Sequence, residues 1–154
     1  MINTEIERKF LVDTALLPKL SGGTEIRQAY LSLDPTVRLR IKGDRAYITV
    51  KSKGLVERKE IQVEIPIAEC EAMMELCPES TIIIEKERFE VKHKGNLWVV
   101  DFFHGAHEGL VIAEIELDKI NQDVEIPPWA HREVTGDPSY LNSNLALSGA
   151  KQGE

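Results

Sequence analysis

From Thr4 onward the chain alternates. In TEIERKFLV, Glu5, Glu7 and Lys9 share one parity while Ile6 and Phe10 share the other, the two-residue period of a half-buried strand. The stretches TEIRQAYLSL, TVRLRIKG, RAYITVKSKG and RKEIQVEI repeat it, with Asp34-Pro35 and Gly43-Asp44 reading as turns between them. Asp13 caps a short helical stretch through ALLPKL, which Pro18 interrupts. A helical period follows Pro66, where Ile67, Cys70, Met73, Met74 and Cys77 recur in IAECEAMMELC. Strands resume after Pro78 with STIIIEKERFEVKHKG, NLWVVDFFHG and GLVIAEIELDK. The tail IPPWAHREVTGDPSYLNSNLALSGAKQGE reads as irregular chain leading into a short helix. The pattern predicts an α+β chain, predominantly antiparallel β with a few short helices. Strand, helix, three strands occurs twice in succession, and the matching texture of TEIERKFLV and KEIQVEIPI hints at a duplication.

Composition narrows the class. At 154 residues the chain is expected to be one domain, 1–154, large enough to bury a core. A net charge of −7 argues against coating nucleic acid or anionic membrane by bulk charge, so neither is expected as a partner. Monomer and homodimer stay open. Cys70 and Cys77 form neither a CxxC motif nor a disulfide framework, which points to free thiols in a reducing, cytoplasmic compartment. No apolar run approaches the roughly 20 residues a spanning helix needs.

The polar faces carry the chemistry. Glu5 with Glu7 and Glu114 with Glu116 are paired acids, whereas Arg38 with Arg40 and Lys86 with Arg88 are paired bases. Two carboxylates at i and i+2 sit about 7 Å apart and repel by about 2 kcal/mol at an effective dielectric near 20, unless water or a cation intervenes. A surface tuned for solubility intersperses its signs. Segregated pairs suit a polyanion that travels with a metal, because carboxylates supply hard oxygen ligands while Arg and Lys bind phosphate oxygens. His93, His104 and His107 lack zinc spacing and read as surface or loop imidazoles. Trp98, Trp129, Met73 and Met74 read as core packing.

EIERKFLV resembles the ExExK signature of the CYTH superfamily, the triphosphate tunnel metalloenzymes. The resemblance continues in order through IRQAYLS, VRLRI, TVKSKG, RKEIQVEIP, EKERF, VVDFF, AEIEL and the PPWAHREVTGDPSYLNSNLA tail. It implies a closed eight-stranded antiparallel barrel whose tunnel binds a triphosphate and one or two divalent ions, Mg²⁺ or Mn²⁺. Carried over by motif, Glu5, Glu7, Glu60, Asp101, Glu114 and Glu116 look like metal ligands. Lys9, Arg27, Arg38, Arg40, Lys51, Arg58, Lys86 and Arg88 look like the substrate-binding set, with Glu114, Glu116 and Lys86 as the catalytic group. The family pattern often has Glu where Gln62 stands, which leaves one charge in doubt; Glu64, on the same face, is the candidate to compensate.

The activity implied is metal-dependent hydrolysis of inorganic tripolyphosphate to pyrophosphate and phosphate. The alternatives are a class IV-type adenylyl cyclase, a thiamine or nucleoside triphosphatase and, without catalysis, a polyphosphate- or nucleotide-binding module.

Overall fold

In the computed structural model, which describes residues 2–147, eight antiparallel strands close into a ring. They are β1 (Ile2–Val12), β2 (Thr24–Leu33), β3 (Thr36–Lys42), β4 (Arg45–Lys51), β5 (Glu57–Ile65), β6 (Ile84–His93), β7 (Asn96–His104) and β8 (Val111–Glu116). Their order around the wall is β5-β4-β3-β2-β6-β7-β8-β1, and β1 pairs back onto β5. Helix α1 (Ile67–Met74) follows β5, as a 3-10 turn at Thr14–Leu16 follows β1, so the repeated order of elements is present. Asp13 accepts from the Ala15 amide at that turn, the cap its position predicted. Gly43 adopts φ +59° in the two-residue loop joining β3 to β4, where the left-handed backbone matches strand twist.

One strand was not predicted. β9 (Ala130–Glu133) pairs with β1 at Phe10↔Glu133 and Leu11↔Arg132, taking over the edge that β5 leaves after Ile6. An Arg8–Glu133 ion pair at 2.7 Å ties the two on the outside.

The outer wall is apolar and covered in two ways. Cys70 and Met74 of α1 pack on Ala29, Leu39, Ile41 and Ala46. On the other side no helix among the described residues is used. Trp98, Phe10, Val100 and Ile115 are covered by Leu117 and Trp129, and Trp98 meets both Phe10 and Trp129 edge-on at 5.5 Å. Burying each Leu, Ile or Phe side chain stabilises by about 1.5–3 kcal/mol, which lets the barrel carry charge inside. Cys70 and Cys77 are free thiols. Among the described residues no helix is long and apolar enough to cross a membrane.

The inner face changes character along the tunnel. Beyond Lys9, Gln28, Lys86, Asp101 and Glu114, the same parities continue as Leu11, Tyr30, Ile84, Phe103 and Ile112. These apolar residues cluster with Tyr140, Leu145 and Ala146 of the tail. The helix α2 (Asn142–Leu145) therefore fills one end of the barrel, with Leu145 fully buried. His107 is part of that seal. It lies in the turn between β7 and β8, as the loop half of its reading expects, but it is buried and not at the surface, and its Nε2 lies 2.8 Å from the Leu145 carbonyl. The expected domain bounds, 1–154, extend past the described residues at both ends.

Candidate active site

The remaining tunnel is a cavity of about 320 Å³. Among the described residues five carboxylates line it: Glu5, Glu7, Glu60, Glu114 and Glu116. Six cations line it too: Lys9, Arg38, Arg40, Lys51, Arg58 and Arg88. The strands bring them together through register. Glu7 lies opposite Glu116 and Lys9 opposite Glu114 on the β1–β8 ladder, while Lys51 lies opposite Glu60 on β4–β5.

The acids meet in pairs. Glu7 hydrogen-bonds to Glu114; burial first, then the Glu114 charge, pushes the Glu7 carboxyl well above the ordinary range. Burial would raise Glu114 as well, but Lys9, the Glu7 bond and Arg88 overcome it and hold Glu114 ionised. Glu5 and Glu60 repeat the arrangement. Burial opposes ionisation of Glu5, yet Lys51, a bond from Glu60 and Arg58 bring it down to about 2. Glu60 is raised by burial and by sharing a proton with Glu5. Two close carboxylate pairs, each joined by a hydrogen bond between its members inside a partly closed cavity, are a costly arrangement that a divalent cation relieves. The donor set fits a hard cation: carboxylate oxygens only, with Glu7 and Glu114 deep and Glu116 exposed. Among the described residues no three of these acids have oxygens within 4.8 Å of one another, so an ion here would draw on pairs.

The bases divide into satisfied and unsatisfied. Lys51 and Arg58 both contact Glu5 at 3.1 Å. Arg88 lies 3.8 Å from Glu114, and Lys9 lies 3.9 Å from it. Arg38 and Arg40 are different: among the described residues neither has a carboxylate within ion-pair distance. Arg40 directs Nε and Nη2 to the Gln28 Oε1 at 2.9 and 2.8 Å. Burial, then the neighbouring Arg38 and Arg88 charges, pulls it down to about 9. Arg38 makes a 3.4 Å contact to Thr49 and leaves its buried Nε without a partner. Two adjacent guanidiniums with open donors, facing a cavity, are an oxyanion site in waiting.

Three expected members are not in this wall. Arg27 has the outer parity of β2 and pairs with Glu71 of α1 at 3.3 Å, exposed to solvent. It supports the helix outside the barrel. Asp101 has the inner parity, but both its oxygens are taken: Arg88 at 2.7 and 2.8 Å and Lys86 at 3.0 Å. Burial opposes its ionisation, and the two cations more than offset that, so it stays charged without any metal. Lys86 is fully buried inside the barrel at the end that the tail closes, where burial lowers it to about 7 against the pull of Asp101. It braces Asp101, which in turn aims Arg88.

Gln62 does line the cavity, but with the bases. Its Oε1 accepts from the Thr49 hydroxyl, which also accepts from Arg38. Glu64 does not compensate for the missing charge, since it pairs with Arg45 in an exposed position. Uncharged residues were missed altogether: Tyr30, Thr36, Leu97, Val99, Asn142 and Ser143 also form the wall. Outside the barrel, Glu25, Glu87 and His104 come within 4.8 Å of one another.

The CYTH domain family matches residues 3–143. An inorganic triphosphatase of Acetivibrio thermocellus is 44% identical over 144 residues, 92% of this chain and 92% of that protein. An inorganic triphosphatase of Nitrosomonas europaea is 36% identical over 152 residues, covering 94% and 98%. A crystal structure of an inorganic triphosphatase superposes with a TM-score of 0.70 at 34% identity, covering 96% of this chain and 97% of the other.

Proposed function

The chain belongs to the CYTH family, and from that premise we propose that it is a divalent-metal-dependent triphosphatase that splits inorganic tripolyphosphate into pyrophosphate and phosphate. The observation that carries the reading is the charge layout of one cavity. Among the described residues Arg38 and Arg40 have no carboxylate within ion-pair distance, and the hydrogen-bonded acids Glu7 and Glu114 line the same space. The first pair suits phosphate oxygens and the second suits a cation.

The Glu7–Glu114 pair would hold the ion, with Glu116 at the open end of the same strand reaching it through water, and the Glu5–Glu60 pair is available to a second. Mg²⁺ or Mn²⁺ matches their all-oxygen chemistry. When bound, such an ion supplies positive charge to the phosphoryl oxygens and acidifies water nearby. The chain's own residues supply the rest. Arg38, Arg40, Lys51 and Arg58 neutralise the polyanion and fix its position, and Arg88 and Lys9 lie beside Glu114. As water attacks the terminal phosphorus, the bond to the bridging oxygen breaks and negative charge builds on the departing pyrophosphate. Preorganised guanidiniums stabilise that charge without reorienting. The protein positions and neutralises, and no covalent nucleophile is required.

Product analysis separates this reading from its alternatives. With Mg²⁺ or Mn²⁺, tripolyphosphate yields one phosphate per pyrophosphate, and ATP yields no cyclic AMP. Cyclic AMP with pyrophosphate from ATP would instead make the chain a cyclase. Preference for thiamine triphosphate would move the substrate but keep the chemistry.

A further inference from the structure

The tail that seals the barrel also faces its contents. Asn142 and Ser143 line the same cavity as Arg38, Arg40 and Glu114. The Asn142 Oδ1 accepts a hydrogen bond from the Lys86 ammonium at 3.2 Å. Lys86 is fully buried and its only ion-pair partner among the described residues is Asp101. The Lys86 nitrogen sits between the Asp101 carboxylate at 3.0 Å and Asn142 and donates to both, which sets the way the carboxamide turns. The oxygen must face Lys86. The amide NH₂ is thereby turned away from Lys86, on a residue that lines the cavity. The segment carrying it is firmly held: Leu145 and Ala146 are fully buried, and the Tyr140 carbonyl accepts from Lys9 Nζ at 3.1 Å.

We propose that Asn142 is a substrate contact of the triphosphatase site, its NH₂ group donating to a phosphoryl oxygen at the sealed end of the cavity and its oxygen locked in place by Lys86. The inference rests on the triphosphate reading above. It gives the C-terminal segment a part in binding as well as in closing the barrel. A phosphate chain presents acceptors only, so a neutral double donor adds affinity there without adding repulsion to a wall that already carries six cations.

Two substitutions separate contact from bracing. Asn142→Asp keeps an acceptor for Lys86 but removes both N–H donors and sets a negative charge against the substrate. Asn142→Ala removes acceptor and donors together. If Asn142 touches the substrate, N142D raises KM for tripolyphosphate about tenfold to a hundredfold, with N142A less affected and kcat changed by a smaller factor. The same order appears without turnover, as a reduced shift in melting temperature when tripolyphosphate is added in EDTA. If N142A is impaired and N142D restores wild-type KM, the residue only braces Lys86 and the inference is overturned while the triphosphatase reading stands. A wild-type protein that neither binds nor cleaves tripolyphosphate overturns both.

Discussion

Glu114→Gln lowers kcat for tripolyphosphate by at least about a hundredfold while the barrel stays folded. The carboxylate sits deep in the cavity, hydrogen-bonded by Glu7 and flanked by Lys9 at 3.9 Å and Arg88 at 3.8 Å. Glutamine has the same shape but brings no charge to a cation. Two effects on stability oppose each other. The substitution removes a buried charge with its desolvation cost, and it leaves Lys9 and Arg88 with less negative charge nearby. The melting temperature consequently moves by only a few degrees. Glu116 lies at the exposed end of the same strand, where water screens and partly replaces its charge, so Glu116→Gln is the milder of the two. Steady-state kinetics with circular dichroism as the folding control tests the pair. A kcat for E114Q near that of the wild type removes Glu114 from the catalytic group.

Arg38→Met has opposite signs in its two readouts. It lowers kcat/KM for tripolyphosphate by about 10²–10⁴, the loss of two charge-assisted hydrogen bonds at about 1.5–3 kcal/mol each. In the same protein without ligand, stability rises. Arg38 is 6% exposed, has no carboxylate partner among the described residues, and leaves its buried Nε orphaned, a cost of about 1–3 kcal/mol that methionine does not carry. It also depresses the neighbouring Arg40 by charge repulsion, and that repulsion goes with it. A site that binds a polyanion keeps such strain because the ligand relieves it. Denaturant unfolding with and without tripolyphosphate reads both halves. A destabilised ligand-free R38M protein with wild-type kcat/KM would make Arg38 a structural residue.

Strand parity made the antiparallel strands legible, because eight of them alternate over five or more residues and their turns carry Pro, Gly or Asp; their closure into a barrel was what the motif resemblance implied. β9 escaped for a physical reason. His131, Arg132 and Glu133 are exposed, so the segment has no apolar alternation, and only the free edge of β1 makes it a strand. Parity also named most of the charged wall, but one residue of offset decides inside from outside. Arg27 fell on the wrong side because its neighbours Gln28 and Tyr30 hold the inner positions, and nothing local says which parity faces inward.

Depth along the tunnel was invisible as well. Lys86 and Asp101 share the inner parity with Arg88, yet they sit where the tail closes the barrel and where each satisfies the other. The sealing itself follows from the switch to Leu11, Ile84, Phe103 and Ile112 on the inner face. That switch can be read only once the register between strands is known. Gln28, Tyr30, Asn142 and Ser143 carry no charge and gave no pattern.

The initial rate of phosphate release from tripolyphosphate, with Mg²⁺ or Mn²⁺ and again with EDTA, bears most directly on the proposed activity. The expected result is release that rises by about 10³-fold or more with metal and returns to baseline in EDTA. Metal-loaded protein that releases no phosphate, although tripolyphosphate raises its melting temperature, would contradict hydrolysis and leave a binding module.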